Sequence, residues 1–228
     1  MSEAGCILST IDHAVLAPDA TRGQVLSACE LAARLGVAGV CVQPWWVRAA
    51  AAALEGSPVA CGTVAGFPLG ATTTEAKCLE AMQALESGAT EVDMVMAVTA
   101  VRSGDFRDAL LDAAAVVQVV RDSGVEQAVV KVILEMCYLD EHEKRIAADI
   151  AVQAGADFVK TSTGFGRSGA TVEDVRLLRG VAPAHVGVKA AGGIRTLADL
   201  RAMLEAGATR IGTSASEAIA AELDRAAT

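Results

Sequence analysis

The sequence predicts an α/β chain folded as a single (β/α)8 TIM barrel, and three observations carry that prediction. Apolar, β-branched runs alternate with amphipathic, Ala- and Leu-rich stretches along the whole chain. Several of those runs are apolar throughout, as expected of parallel strands covered on both faces. A glycine at a helix end, then a short turn, then a strand, recurs in LGVAGVCV, SGATEVDM, AGADFVKT and AGATRIGT. The 228 residues contain no linker-like stretch, so one domain over 1–228 is expected and not two small ones.

The elements follow in order. Strands are expected at Ile11–Leu16, Val37–Val42, Val59–Gly66, Glu91–Val98, Ala128–Leu134, Phe158–Thr163, Val186–Ala190 and Arg210–Ser214. Helical patterns lie between them, as in Thr72–Ser87, Asp105–Ser123, Asp140–Ala154 and Thr196–Ala206. Thr21 with Gln24, and Thr72 with Glu75, have the spacing of capping boxes, which satisfy free N–H groups of the first turn. Thr171 with Asp174 and Thr196 with Asp199 are looser versions. Counting five positions on from each helix-ending glycine aligns Cys41, Asp93, Lys160 and Gly212. Equivalent positions on parallel strands point the same way, so Asp93 and Lys160 should both face the barrel mouth, where barrel enzymes place their chemistry.

Composition narrows the function. No apolar run reaches the roughly 20 residues needed to span a bilayer. A net charge of −9 argues against nucleic acid as a partner. The start of the chain lacks the basic, apolar pattern of a signal peptide, so a cytoplasmic protein is expected. The six cysteines form no C-x-x-C pair and read mostly as small buried hydrophobes. His13, His142 and His185 are scattered with no metal-ligand spacing, so neither a metal nor another cofactor is expected. Trp45 and Trp46, after Pro44, read as packing residues.

The lysines are the informative residues. Only five are present against 14 arginines, and Lys131, Lys160 and Lys189 all lie in apolar strand-like runs. A buried ammonium is costly unless it is paired or loses its proton. A free lysine has a pKa of about 10.4 and is not nucleophilic at neutral pH. Desolvation and a neighbouring cation lower that value, and a neutral amine attacks an aldehyde to give an imine. Lys160 is the candidate nucleophile and Lys189 the candidate neighbouring cation. Asp93, alone in the apolar run TEVDMVMAV, is the candidate proton shuttle. The competing explanation is structural: each lysine pairs with a core carboxylate such as Glu135 or Asp93, and Asp93 with Lys131 or Lys189. Asp12, His13 and Cys41 are secondary candidates.

The glycine-rich segments AAGGIRT and RIGTSASEA follow the seventh and eighth strands and open helices. Backbone N–H groups in such loops suit a phosphate dianion. The candidate phosphate contacts are therefore Gly192, Gly193, Gly212, Thr213 and Ser214. TSTGFGRSGAT supplies a third loop after Lys160.

These residues resemble the 2-deoxyribose-5-phosphate aldolase family along nearly the whole chain. The most specific segments are FVKTSTGFGRSGAT at Phe158–Thr171, VKAAGGIRT at Val188–Thr196, EVDM at Glu91–Met94 and GFPLGATTTEAK at Gly66–Lys77. IDH, KVILE and RIGTS add to the match. The resemblance implies metal-free, reversible cleavage of 2-deoxy-D-ribose 5-phosphate to acetaldehyde and D-glyceraldehyde 3-phosphate, in deoxyribose phosphate catabolism. It makes Lys160 the imine-forming residue, Lys189 the lysine that keeps it less basic, and Asp93 the proton donor and acceptor acting through water. The implied partner is a small phosphorylated aldehyde or sugar, with a homodimer as an assembly open to the chain. Departures from the family pattern are Ala14, Ala17, Gln43, Ala97, Thr99 and Ser216, and they bear on substrate affinity. Two other functions are compatible with the same residues: a lysine-dependent aldolase or transaldolase with a different acceptor, and a non-catalytic barrel that binds a sugar phosphate.

Overall fold

Four of the strands begin three residues beyond a glycine that closes the preceding helix: Gly36, Gly88, Gly155 and Gly207. The computed structural model describes residues 3–226. Its strands are β1 (Ile11–Val15), β2 (Gly39–Val42), β3 (Ala60–Ala65), β4 (Glu91–Val95), β5 (Val129–Ile133), β6 (Phe158–Lys160), β7 (Gly187–Ala191) and β8 (Arg210–Thr213). They pair in parallel, in sequence order, and β8 closes on β1 to complete the barrel. The helices are α1 (Glu3–Leu8), α2 (Arg22–Leu35), α3 (Val47–Ala53), α4 (Thr74–Glu86), α5 (Val98–Ser103), α6 (Phe106–Asp122), α7 (Glu141–Gln153), α8 (Val172–Val181), α9 (Leu197–Glu205) and α10 (Ser216–Ala226). Among the described residues no helix is long and apolar enough to cross a membrane.

The repeat expected from sequence is present. Those four glycines all have positive φ, the left-handed conformation that ends a helix at little steric cost to glycine. The Thr21–Gln24 and Thr196–Asp199 capping boxes both form, and the Thr171 side chain accepts from the Asp174 N–H. Helix α4 departs from the expectation: its cap is Thr73, not Thr72, and Thr73 accepts from the Ala76 N–H. Three successive threonines offered alternative caps.

Strand ends differ more. The strand expected to reach Val98 stops at Val95, because Val98 opens α5. The strand expected to reach Thr163 stops at Lys160. Beyond it, Thr161 turns its hydroxyl to β7, accepting from the Ala191 N–H at 3.1 Å.

The apolar core lies between the strands and the ring of helices, and includes Val92, Met94, Val130, Val132, Val159 and Val188. The inside of the barrel is different. It holds charged side chains, and glycines make room for them. A Cβ on Gly39 would sit 3.1 Å from Asp12 Oδ1, and one on Gly212 would meet the Lys189 side chain at 3.3 Å. Trp46 packs against the core and donates to the Ala20 carbonyl at 3.1 Å. Trp45 does not pack as expected: it is 83% exposed.

Candidate active site

The three strand lysines converge inside the barrel. Register places Lys160 beside Lys189 and Asp93 beside Lys131 on neighbouring strands. Asp93, on β4, is buried and sits at the centre. Its Oδ2 accepts from Lys160 Nζ and from Lys189 Nζ, each at 2.7 Å, and its Oδ1 accepts from Lys131 Nζ at 2.9 Å. The structural explanation of Asp93 as an ion-pair partner therefore holds together with its place beside the candidate nucleophile.

Around this centre lies a second ring of charge. Lys189 also donates to Asp12 Oδ2 at 2.5 Å, and Lys131 to Glu91 Oε2 at 2.5 Å. Arg210, at the start of β8, donates to Asp12 Oδ1 at 2.7 Å and reaches Glu91 Oε1 at 3.4 Å. Its guanidinium also lies over the Phe158 ring, 5.3 Å from the centroid. Asp12, a secondary candidate from sequence, is thus an integral member. Arg210 and Glu91 carried no sequence signal, because each stands at a strand start and reads as an edge residue.

Electrostatics separates the three lysines. For Lys131, burial opposes protonation, but Asp93, Asp12 and Glu91 outweigh it and hold the amine above its usual value. For Lys189, burial is likewise outweighed, by Asp12 and Asp93. For Lys160 the balance reverses: burial lowers its pKa, Lys189 lowers it further, and Asp93 only partly compensates. Lys160 is the one strand lysine whose proton is destabilised. Asp93 and Asp12 lie below the ordinary carboxylate range, since their cationic neighbours overcome the cost of burial. Stability from these two carboxylates is therefore in place above about pH 4 and is lost as pH falls through their lowered values.

A cavity of about 450 Å³ opens above the lysines at the C-terminal ends of the strands. Its wall includes Lys160, Lys189, Asp12 and Cys41, and all five candidate phosphate contacts, Gly192, Gly193, Gly212, Thr213 and Ser214. Gly192 and Gly193 have positive φ of 89° and 82°, so glycine is needed for that loop to follow its path. The Thr213 hydroxyl ties the two loops together, donating to the Ile194 carbonyl of the loop after β7 at 2.6 Å and accepting from the Ala215 N–H at 2.9 Å. Arg195 stands on the rim and adds a cation that sequence had not singled out. Burial pushes the Cys41 thiol up to about 11, with Asp93 adding to the effect, so it stays a neutral wall group at pH 7.

Glu135 does not pair with a lysine, contrary to the structural explanation above. It sits just past β5 with a left-handed φ of 49° and is buried. Its carboxylate accepts from the Thr163 hydroxyl and, at 3.3 Å, from the Thr163 N–H. It pins the loop that follows Lys160. His13 is paired as well, its Nδ1 lying 2.8 Å from Ser216 Oγ. The unexpected Ser216 thus has a local partner. Gln43 does too: its Nε2 donates to the Ala17 carbonyl at 2.8 Å and holds the loop after β1.

Comparison with known proteins shows the family. Residues 6–219 match the model of the DeoC/LacD family aldolases. The chain is 49% identical over 216 residues to the deoxyribose-phosphate aldolase of Caldanaerobacter subterraneus, covering 95% of this chain and 93% of that one. It is 52% identical over 214 residues to the deoxyribose-phosphate aldolase of Shouchella clausii, covering 93% and 94%. It is similar in structure to the tetrameric deoxyribose phosphate aldolase of Aeropyrum pernix, with a TM-score of 0.90 at 33% identity, over 98% of this chain and 93% of that one. A barrel that buries a lysine–aspartate–lysine cluster under a glycine-walled cavity, matched along almost its full length, belongs to the DeoC/LacD aldolase family.

Proposed function

We propose that this chain is a deoxyribose-phosphate aldolase that reversibly cleaves 2-deoxy-D-ribose 5-phosphate into acetaldehyde and D-glyceraldehyde 3-phosphate. The observation that carries it is the position of Lys160: buried at the cavity floor, its proton destabilised, and 2.7 Å from a carboxylate oxygen shared with Lys189.

The chemistry follows from that placement. The neutral Lys160 amine adds to the sugar aldehyde, and loss of water gives a protonated imine. A base takes the C3 hydroxyl proton, the C2–C3 bond breaks, and its electron pair passes into the imine to form an enamine. D-Glyceraldehyde 3-phosphate leaves. Protonation of the enamine carbon and addition of water release acetaldehyde and restore Lys160. Asp93, in contact with both amines, would relay these protons, directly or through a water, with Lys189 resupplying them. The Gly192–Gly193 loop and the 212–214 loop would hold the phosphate through backbone N–H groups, with Arg195 at the rim.

Acetaldehyde and borohydride, followed by peptide mapping, test the imine. The expected product is a two-carbon adduct on Lys160, together with acetaldehyde release from 2-deoxyribose 5-phosphate. An unmodified protein would favour a sugar-phosphate binder. A Lys160 adduct without acetaldehyde release would favour a different aldol acceptor.

A further inference from the structure

Arg210 belongs to the charged network but not to the cavity wall. Its side chain is 16% exposed and its strand starts at the opposite end of the barrel from the mouth, so it cannot meet the substrate. Resting on the aldolase function above, we propose that Arg210 is a positioning residue that leaves the barrel network one cation in excess, and that this excess is relieved by loss of the proton on Lys160.

The network has three carboxylates, Asp12, Glu91 and Asp93, and four cationic side chains, Lys131, Lys160, Lys189 and Arg210. A guanidinium does not give up its proton in a protein. Arg210 therefore claims one negative charge permanently and leaves two for three lysines. The contacts decide which lysine is left out. Lys131 reaches Glu91, Asp93 and Asp12. Lys189 reaches Asp12 and Asp93. Lys160 reaches Asp93 alone, through the oxygen that Lys189 also uses.

Lys160 is faced by Asp93 from β4, Lys189 from β7 and the neutral Cys41 thiol from β2. One contact further away lie Lys131 on β5 and Asp12 on β1, and beyond those Glu91 on β4 and Arg210 on β8. Asp19 and Arg195 stand at the cavity rim. Burial and Lys189 oppose the proton on Lys160, whereas carboxylates outweigh burial at Lys131 and Lys189, which agrees with the contacts in leaving Lys160 as the lysine without its own carboxylate.

Two substitutions of opposite sign test this. Arg210→Met removes the surplus, and Glu91→Gln enlarges it. The rate of Lys160 adduct formation with acetaldehyde and borohydride is followed against pH, beside the wild type. Arg210→Met should move the acid limb up by about one pH unit, which costs about tenfold at pH 7 and is recovered in alkali. Glu91→Gln should move it down. The double variant should return toward the wild-type position, and Arg210→Lys should stay near it. A purely structural role would lower the rate at every pH and leave the limb in place. Limbs that do not move, or that move the same way in both single variants, overturn the proposal. If Arg210→Met fails to fold, Glu91→Gln and Arg210→Lys decide the question by the same shifts. A wild-type protein with no adduct on Lys160 overturns the aldolase function as well. A wild-type adduct whose pH limb ignores Arg210 and Glu91 overturns only the role of Arg210.

Discussion

The chain buries lysine in two places, and they behave differently. Outside the barrel, Lys77 on α4 is fully buried and donates to Asp112 Oδ2 on α6 at 2.6 Å. Thr74 donates to the other oxygen of Asp112 at 2.9 Å. There is one lysine for one carboxylate, and neither lines a described cavity. Inside the barrel, three lysines and an arginine share three carboxylates beneath a cavity of about 450 Å³. Burial is common to both sites, so burial does not mark a reactive lysine. What separates the two sites is an unmatched cation with access to a cavity.

Substitutions can break the comparison from either side. The largest effect should come from Lys160→Leu, which removes the proposed nucleophile but leaves Asp93 paired with Lys131 and Lys189. Turnover of 2-deoxyribose 5-phosphate should fall on the order of ten-thousand-fold or more, while circular dichroism and Tm stay near wild type. A folded variant with near-normal turnover would remove Lys160 from the mechanism.

Lys77→Met should do the reverse. It strands the Asp112 carboxylate, so stability should drop by about 3–5 kcal/mol, or roughly 10 °C in Tm. The pH dependence of the folded enzyme should not move. A shift of that profile would mean that the two sites are coupled.

Lys189→Leu lies between these extremes. Lys160 loses its nearest opposing cation and becomes more basic, so the rate near pH 7 should fall by about a hundredfold and partly recover in alkali. A profile fixed on the pH axis would contradict the role of Lys189.

The smallest effect should be at Cys41. Its thiol is held neutral by burial, so an alkylating reagent at neutral pH should reach the exposed Cys6 first, and Cys41→Ser should change turnover less than about tenfold. Alkylation of Cys41 ahead of Cys6 would show the thiol to be activated.

Much of this was legible in the sequence, for identifiable reasons. Lys160, Lys189 and Asp93 stood out because a charge in an apolar strand has few explanations. The glycines before β2, β4, β6 and β8 marked the repeat that brings them to one height. What the sequence does not reveal is set by tertiary contact. Arg210 and Glu91 open strands and look like edge residues, although the barrel turns both inward. Lys77 sits on an amphipathic helix, and nothing local reveals that Asp112, 35 residues away, closes over it. Glu135 looked like a partner for lysine, but its left-handed backbone aims it at Thr163.

The presence of only five lysines makes the central claim directly measurable. An NMR pH titration of lysine labelled at the side-chain Cε should show one signal that titrates clearly below the usual value of about 10.4 and is absent from Lys160→Leu. If every lysine signal titrates at or above that value, Lys160 holds its proton at neutral pH and cannot be the nucleophile.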